Sequence, residues 1–114
     1  MPRNDSSYLL DMLLAARDAV GFARGLTYAQ FGESRLHQNA ILKAIEIVGE
    51  AAARITSETK QAHPDIAWPE IIGMRNRLVH GYFEVNLKRV WETVQDDLPR
   101  LIALIQAQIP PEES

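Results

Sequence analysis

Four side chains that suit phosphate chemistry occur within one eight-residue stretch of this 114-residue chain. Arg75, Asn76, His80 and Tyr82 supply a guanidinium, an amide, an imidazole and a phenol. A guanidinium can donate to two phosphate oxygens at once, and histidine is the side chain whose proton moves most readily near neutral pH. If the stretch is a site, its substrate therefore carries phosphate.

Each of these residues also has an ordinary structural explanation. A histidine at a helix end is often only a favourable charge near the negative pole of the helix dipole. Arg75 and Arg77 could be solvated surface charges, an explanation that is favoured for Arg77, and Tyr82 could be half-buried packing. Asn76 is mildly unfavourable inside a helix, which favours a specific role for its amide. The residues alone leave both explanations open.

Several cations lie within this stretch and just after it. Arg77, Lys88 and Arg89, together with Arg75, are opposed between positions 75 and 89 only by Glu84. The formal net charge of the chain is −3, which argues against nucleic-acid binding by bulk electrostatics. Any polyanion site must therefore be a local positive island, and we expect these cations to form it.

The element that positions the phosphate-binding residues is predicted to be a helix. Pro69 suits its first turn, and Gly81 suits the position just after its end, which places the last helical residue near His80. Gly73, Asn76 and His80 would then lie on one face of this helix.

Three further helices are predicted from apolar residues at spacings of three and four. They are a first helix capped by Asp5 or Ser6 and ending before Gly25, a second from Ser34 to about Ile55, and a fourth that Asn86 caps and Pro99 kinks near Gln95 to Leu98. Tyr28 to Phe31 reads as a helical turn or loop, and Thr56 to Pro64 as a frayed turn and loop. No strand pattern is visible. The sequence predicts an all-α, up-and-down bundle of four to five helices, in one domain over residues 1–109 with a polar tail at 110–114.

Two leucines on the first helix, Leu10 and Leu14, lie outside its main apolar stripe. They indicate a second buried face, which either another chain or a wide intramolecular core would explain.

Composition excludes several classes of site. The chain has no cysteine, so it can form neither disulfides nor thiolate metal sites. Its three histidines lack the spacing of a zinc motif, and no glycine-rich phosphate loop is present. We therefore expect no metal and no cofactor. No secretory leader is visible, and no apolar run reaches the ~20 residues that span a bilayer, so a cytoplasmic protein without membrane insertion is expected.

The pattern Arg-x4-His-x-Tyr, formed by Arg75, His80 and Tyr82, resembles the signature of HepT-like ribonuclease toxins in the HEPN superfamily. The resemblance extends in order and spacing over most of the chain. It includes residues 47–52, residues 68–74, Val90-Trp91 and Asp97-Leu98-Pro99.

The resemblance implies an all-helical homodimer that cuts RNA without a metal, with Arg75, Asn76 and His80 as the catalytic set at the dimer interface. RNA supplies its own nucleophile, the 2′-hydroxyl, so the protein need only move protons and stabilise charge on phosphorus. His80 would act as base or acid, Arg75 would neutralise charge and Asn76 would orient phosphate or imidazole. A second His80 from the partner would serve the other end of the cleaved bond, leaving a 2′,3′-cyclic phosphate and a 5′-hydroxyl.

The same resemblance implies a type VII-like toxin–antitoxin system. The partner would be a cognate minimal nucleotidyltransferase antitoxin of the MntA type, which attaches AMP to Tyr82 and blocks RNA by bulk and charge. Arg77, Lys88 and Arg89 are the expected RNA-binding cations. Two other classes stay open: a non-catalytic nucleotide-binding or adaptor subunit of a nucleotidyltransferase, and a plain helical dimerisation module.

Overall fold

A computed structural model describes residues 4–80 and 84–108, and these residues are almost entirely helical. In chain order the elements are α1 (Asp5–Ala23), α2 (Tyr28–Glu33), α3 (Arg35–Arg54), α4 (Ser57–Ala62), α5 (Trp68–Ile72), α6 (Met74–Leu78), β1 (Val79–His80), β2 (Glu84–Val85), α7 (Leu87–Glu92), a π-helical turn (Thr93–Asp97) and α8 (Leu98–Gln108). The predicted all-α class is confirmed, apart from one short antiparallel hairpin. The predicted domain boundary at residue 109 and the tail at 110–114 lie outside the described residues.

The long helices α1 and α3 pack along each other, and α1 also contacts α8. Their inward residues, such as Met12, Ala16, Ile45 and Val48, are fully buried in one hydrophobic core. Helix α3 begins where predicted, and Ser34 caps it, because its hydroxyl accepts a hydrogen bond from the backbone N–H of His37. The core thus forms a rigid base for the shorter elements that follow.

The predicted N-cap of α1 is wrong by one or two residues. Asn4 caps the helix and accepts a hydrogen bond from the backbone N–H of Ser7. Asp5 instead accepts hydrogen bonds from the Thr56 backbone and hydroxyl, at 3.1 and 2.6 Å, and from the Thr59 hydroxyl. These bonds stabilise the carboxylate and lower the pKa of Asp5 from its ordinary value, the Thr56 hydroxyl contributing most. They also join the start of α1 to α4.

Two short segments are helices: residues 57–62 were predicted as a frayed turn and loop, and for residues 28–31 the helical turn, one of two predicted alternatives, is confirmed. Residues 57–62 form α4 because the Thr56 hydroxyl caps it, and none of its residues is buried. Residues 28–33 form α2, where Thr27 and Gln30 cap the first turn reciprocally. Polar composition concealed α4, since this helix does not depend on a pattern of apolar residues. The described part of the chain therefore has more helical segments than the four to five predicted.

The predicted irregularity before Pro99 is confirmed. Asn86 caps α7, as expected, by accepting from the backbone N–H of Arg89. The helix then widens into the π-helical turn at Thr93–Asp97, where the backbone N–H of Leu98 bonds to the carbonyl of Thr93. Pro99 has no N–H to donate to the preceding turn, so a local change in hydrogen bonding is expected just before it.

The outer surface keeps several large apolar side chains exposed. Leu14 on α1 is 47% exposed, so the core of the single chain does not cover it. Leu36 and Ile47 on α3 and Ile72 on α5 are exposed as well.

None of the described helices combines the length and the apolar character that a bilayer crossing requires.

Candidate active site

Arg75 and Asn76 lie on α6, a helix of about one and a half turns. Both side chains are exposed. His80 follows two residues after the end of this helix, on β1, where its backbone pairs with that of Glu84. Tyr82 lies outside the described residues. The structure thus places two of the predicted catalytic residues on a helix and the third on the adjoining strand.

The prediction that Gly73, Asn76 and His80 share one helical face is wrong. The predicted third helix is divided at Gly73, and its second half already ends at Leu78. The chain then becomes extended, because Val79 pairs with Val85 and the backbone N–H of Asn86 donates to the Leu78 carbonyl at 2.8 Å. Hydrogen bonds across the hairpin replace those that would continue the helix towards Gly81.

The position of α6 depends on a close approach between α3 and α5. A Cβ added at Gly49 would lie 3.2 Å from the carbonyl oxygen of Ile71 and 3.3 Å from that of Ile72. These carbonyls immediately precede the break at Gly73. Glycine at position 49 therefore allows α3 to contact the end of α5. This contact sets the position of the start of α6 and of Arg75.

Arg77 bridges the same break. Its guanidinium donates a hydrogen bond to the carbonyl oxygen of Glu70 and passes over Gly73, whose Cβ position would lie 3.5 Å from Arg77 Nη1. Sequence reasoning identified Arg77 as a solvated surface charge or an RNA-binding cation and missed this contact. Because a guanidinium carries five N–H donors, Arg77 retains donors for a ligand.

The three cations predicted to bind RNA come together. Arg77, Lys88 and Arg89 line one cavity of about 460 Å³ between α6 and α7, with Asn86 at its edge. A neighbouring cavity of about 510 Å³ adds Arg100, a cation that sequence reasoning missed. Neither cavity includes Arg75 or Asn76 in its walls. We call these two cavities together the groove. The groove and the predicted catalytic residues therefore lie on different sides of α6.

A family model described as "Ribonuclease HepT-like" matches residues 12–108 of the chain. The match covers the helices of the core, the α5–α6 break, the hairpin and the groove. The chain belongs to the HepT-like ribonuclease family.

Curated relatives agree with the HepT-like assignment. "Probable ribonuclease HepT" of Thermococcus cleftensis is 37% identical over 89% of this chain and 92% of its own length. "Putative RNase MJ1380" of Methanocaldococcus jannaschii is 31% identical over 87% of this chain and 91% of its own length. The comparison with solved structures gives no match. The resemblance noted from the sequence is thereby confirmed at the level of the family.

The polar side chains at the candidate site suit proton transfer and charge stabilisation. Within residues 4–80 and 84–108, no group of three or more His, Asp or Glu side chains is arranged to hold a metal ion. The exposed guanidinium of Arg75 and amide of Asn76 are groups that can contact a phosphate, and His80 follows close behind them in the chain. Such groups suit the cleavage of an ester whose nucleophile belongs to the substrate.

Proposed function

We propose that this chain is a metal-independent endoribonuclease toxin that cuts RNA by attack of the 2′-hydroxyl on the adjacent phosphorus. The proposal is carried by one observation: in a member of the HepT-like family, Arg75 and Asn76 are exposed on the helix that leads directly to His80. His80 removes or supplies a proton, Arg75 stabilises the charge on phosphorus, and Asn76 orients the phosphate or the imidazole.

The active form is a homodimer in this proposal. Cleavage needs a base at the 2′-oxygen and an acid at the leaving 5′-oxygen, and each chain supplies one His80. The exposed apolar residues Leu14, Leu36, Ile47 and Ile72 support the pairing, since a single chain leaves them in water. Arg77, Lys88 and Arg89 bind flanking phosphates, which their shared cavity supports.

Regulation follows from the same proposal. A minimal nucleotidyltransferase of the MntA type transfers AMP to the phenol of Tyr82, two residues after His80, and the added phosphate repels RNA. Co-expression with the neighbouring nucleotidyltransferase, followed by mass spectrometry of tryptic peptides, should locate the adduct on Tyr82. An adduct on another residue, or none, would remove this part of the proposal.

RNA cleavage by the purified protein in excess chelator tests the catalytic part. Arg75→Ala and His80→Ala should each lower the cleavage rate by ~100-fold or more, the range expected for an acid–base or charge-stabilising group. Asn76→Ala should cause a smaller loss. Arg35→Ala, which removes an exposed arginine at the start of α3, is the matched control and should retain full activity. Products should end in a 2′,3′-cyclic phosphate.

Growth arrest on expression provides an independent readout. A folded His80→Ala variant that still arrests growth would contradict the catalytic proposal. RNA binding without cleavage by the wild-type protein would instead favour the non-catalytic adaptor subunit.

A further inference from the structure

A groove formed by two adjoining cavities runs along the side of α6 that faces α7, the π-helical turn and α8. Its two cavities, of about 460 and 510 Å³, share Met74, Arg77, Arg89 and Asp97 in their walls. Either volume lies in the range of sites that hold one small ligand. The groove is therefore large enough for a nucleotide.

The groove carries both signs of charge. Its first cavity is lined by three cations, Arg77, Lys88 and Arg89, and by three carboxylates, Glu92, Asp96 and Asp97. In the two described ranges these six side chains form no ion pair with one another. Cations and carboxylates that face one cleft without neutralising each other leave both kinds of group available to a ligand.

The π-helical turn brings two consecutive aspartates to the groove. A π-helical turn has more residues per turn than an α-helix, so the side chains of neighbouring residues diverge less around the axis. Asp96 and Asp97 are the last two residues of the turn, and both line the first cavity. Single π-helical turns inside helices occur often at functional sites.

This mixture of charges selects among ligands. A phosphate alone would meet three carboxylates, and a polyamine would meet the cations, so neither matches the whole groove. A nucleotide matches both parts. Its phosphate pairs with arginine and lysine, and the amino groups of adenine, cytosine or guanine donate to carboxylates. Uracil has no exocyclic amino group, and its one donor, the ring N3–H, lies between two carbonyl oxygens that repel a carboxylate.

We propose that the groove binds one nucleotide of the RNA outside the cleaved linkage and prefers adenine, cytosine or guanine to uracil. The phosphate lies at Arg77, Lys88 and Arg89, and the base lies at Asp96 and Asp97. This inference rests on the proposed function, because it assumes that RNA is the substrate. It deepens that function by assigning a base preference to a site that the signature residues do not form.

The bound nucleotide lies outside the cleaved linkage because of the geometry of α6. Met74, Arg77 and Leu78 point to the groove, whereas Arg75 and Asn76 are absent from its walls. Successive residues differ by about 100° around a helix that is ~10–12 Å wide with its side chains. One strand of RNA can therefore contact both sides of α6 with different nucleotides.

Binding of uncleavable RNA tests the inference. The wild-type protein is titrated with fluorescent 2′-O-methyl hexamers of adenine, cytosine and uracil, which lack the free hydroxyl that cleavage requires. Adenine and cytosine hexamers should bind about tenfold more tightly than the uracil hexamer, the discrimination that a well-paired base provides. Equal affinities, or no binding of any hexamer, would overturn the inference.

Variants assign the preference to the groove. Asp96→Ala with Asp97→Ala should reduce the adenine-to-uracil ratio to within about twofold. Arg89→Ala should weaken all three hexamers similarly and leave the ratio unchanged, because it removes only a phosphate contact.

The control variant, Glu33→Ala with Glu58→Ala, removes two exposed carboxylates outside the groove and should keep the ratio. A ratio that survives in the aspartate variant, or that falls equally in the control, would refute the assignment. Since the hexamers cannot be cleaved, this outcome is independent of catalysis. A protein that cleaves native RNA but shows no base preference would overturn the groove inference alone.

Discussion

Replacing Gly49 by alanine should reduce activity and should forfeit the stability that alanine, as the better helix former, normally adds. The added methyl group would lie 3.2 and 3.3 Å from two backbone carbonyl oxygens, those of Ile71 and Ile72. Ordinary contacts of this kind begin near 3.4 Å. The end of α5 must therefore move away from α3 by a few tenths of an ångström.

Two opposing terms set the size of the effect. Alanine in place of glycine in a helix gains about 1 kcal/mol of stability, whereas overpacking a tight contact costs about 1–3 kcal/mol. Gly49→Ala should therefore be neutral to destabilising by about 2 kcal/mol. Gly21→Ala on α1 is the matched control, since a Cβ at that position meets nothing within 4 Å. It should raise stability by about 0.5–1 kcal/mol.

The assay compares chemical denaturation of the two variants with RNA cleavage well below their melting temperatures. Because the displaced carbonyls precede α6 directly, Gly49→Ala should also move Arg75 and lower kcat by several-fold, with little change in KM. Small displacements of catalytic groups are known to have such effects. A Gly49→Ala protein that is as stable as Gly21→Ala and fully active would refute the argument that this contact positions the site.

Two further predictions concern the scaffold. Asp5→Asn should lower the free energy of unfolding near neutral pH, because it weakens the hydrogen bonds from Thr56 and Thr59 to the carboxylate. The lowered pKa of Asp5 means that its contribution is present above the unfolded pKa and is lost as the pH falls through the folded pKa. The free energies of unfolding of Asp5→Asn and of the wild-type protein, measured by denaturation between about pH 7 and pH 2, should therefore converge at the acid end. Trp91→Ala should cost about 2–4 kcal/mol, because the indole packs on Phe31 with ring centroids 5.3 Å apart.

Each scaffold prediction can fail in a specific way. A difference between Asp5→Asn and wild type that stays constant down to low pH would show that the charge of the carboxylate contributes nothing. A Trp91→Ala protein as stable as wild type would show that α7 does not need this contact to hold the helices beneath it.

The sequence predicted those parts of the fold that depend on apolar spacing or on a strong local signal. The boundaries of α3, the cap at Asn86 and the irregularity before Pro99 all follow from such signals. The sequence did not predict α4, because a short polar helix held by the Thr56 cap has no apolar pattern. It also missed the hairpin, since strands of two residues are too short to show alternation.

The error at α6 had the largest consequence for the site. Met74 and Leu78 keep helical spacing, so extending the helix to His80 was reasonable from sequence alone. Pairing of Val79 with Val85 ended the helix earlier, and this pairing depends on residues six positions apart. The sequence indicated the cations of the groove, which are close together in the chain, but not its carboxylates. Asp96 and Asp97 reach the groove through the π-helical turn, further along the chain.

In the proposed mechanism each chain supplies one His80, so two histidines around one linkage require the pairing of two chains. A tandem fusion of two copies can test this directly. If both His80 side chains serve one bond, a fusion with a single His80→Ala should fall to the activity of the doubly substituted fusion. If each chain has an independent site, the same fusion should keep about half of the wild-type rate. A fusion with Arg35→Ala in one copy should stay fully active. It is the control for substituting one copy of the linked protein. Half activity in the single His80→Ala fusion would therefore refute the shared site while leaving ribonuclease activity itself intact.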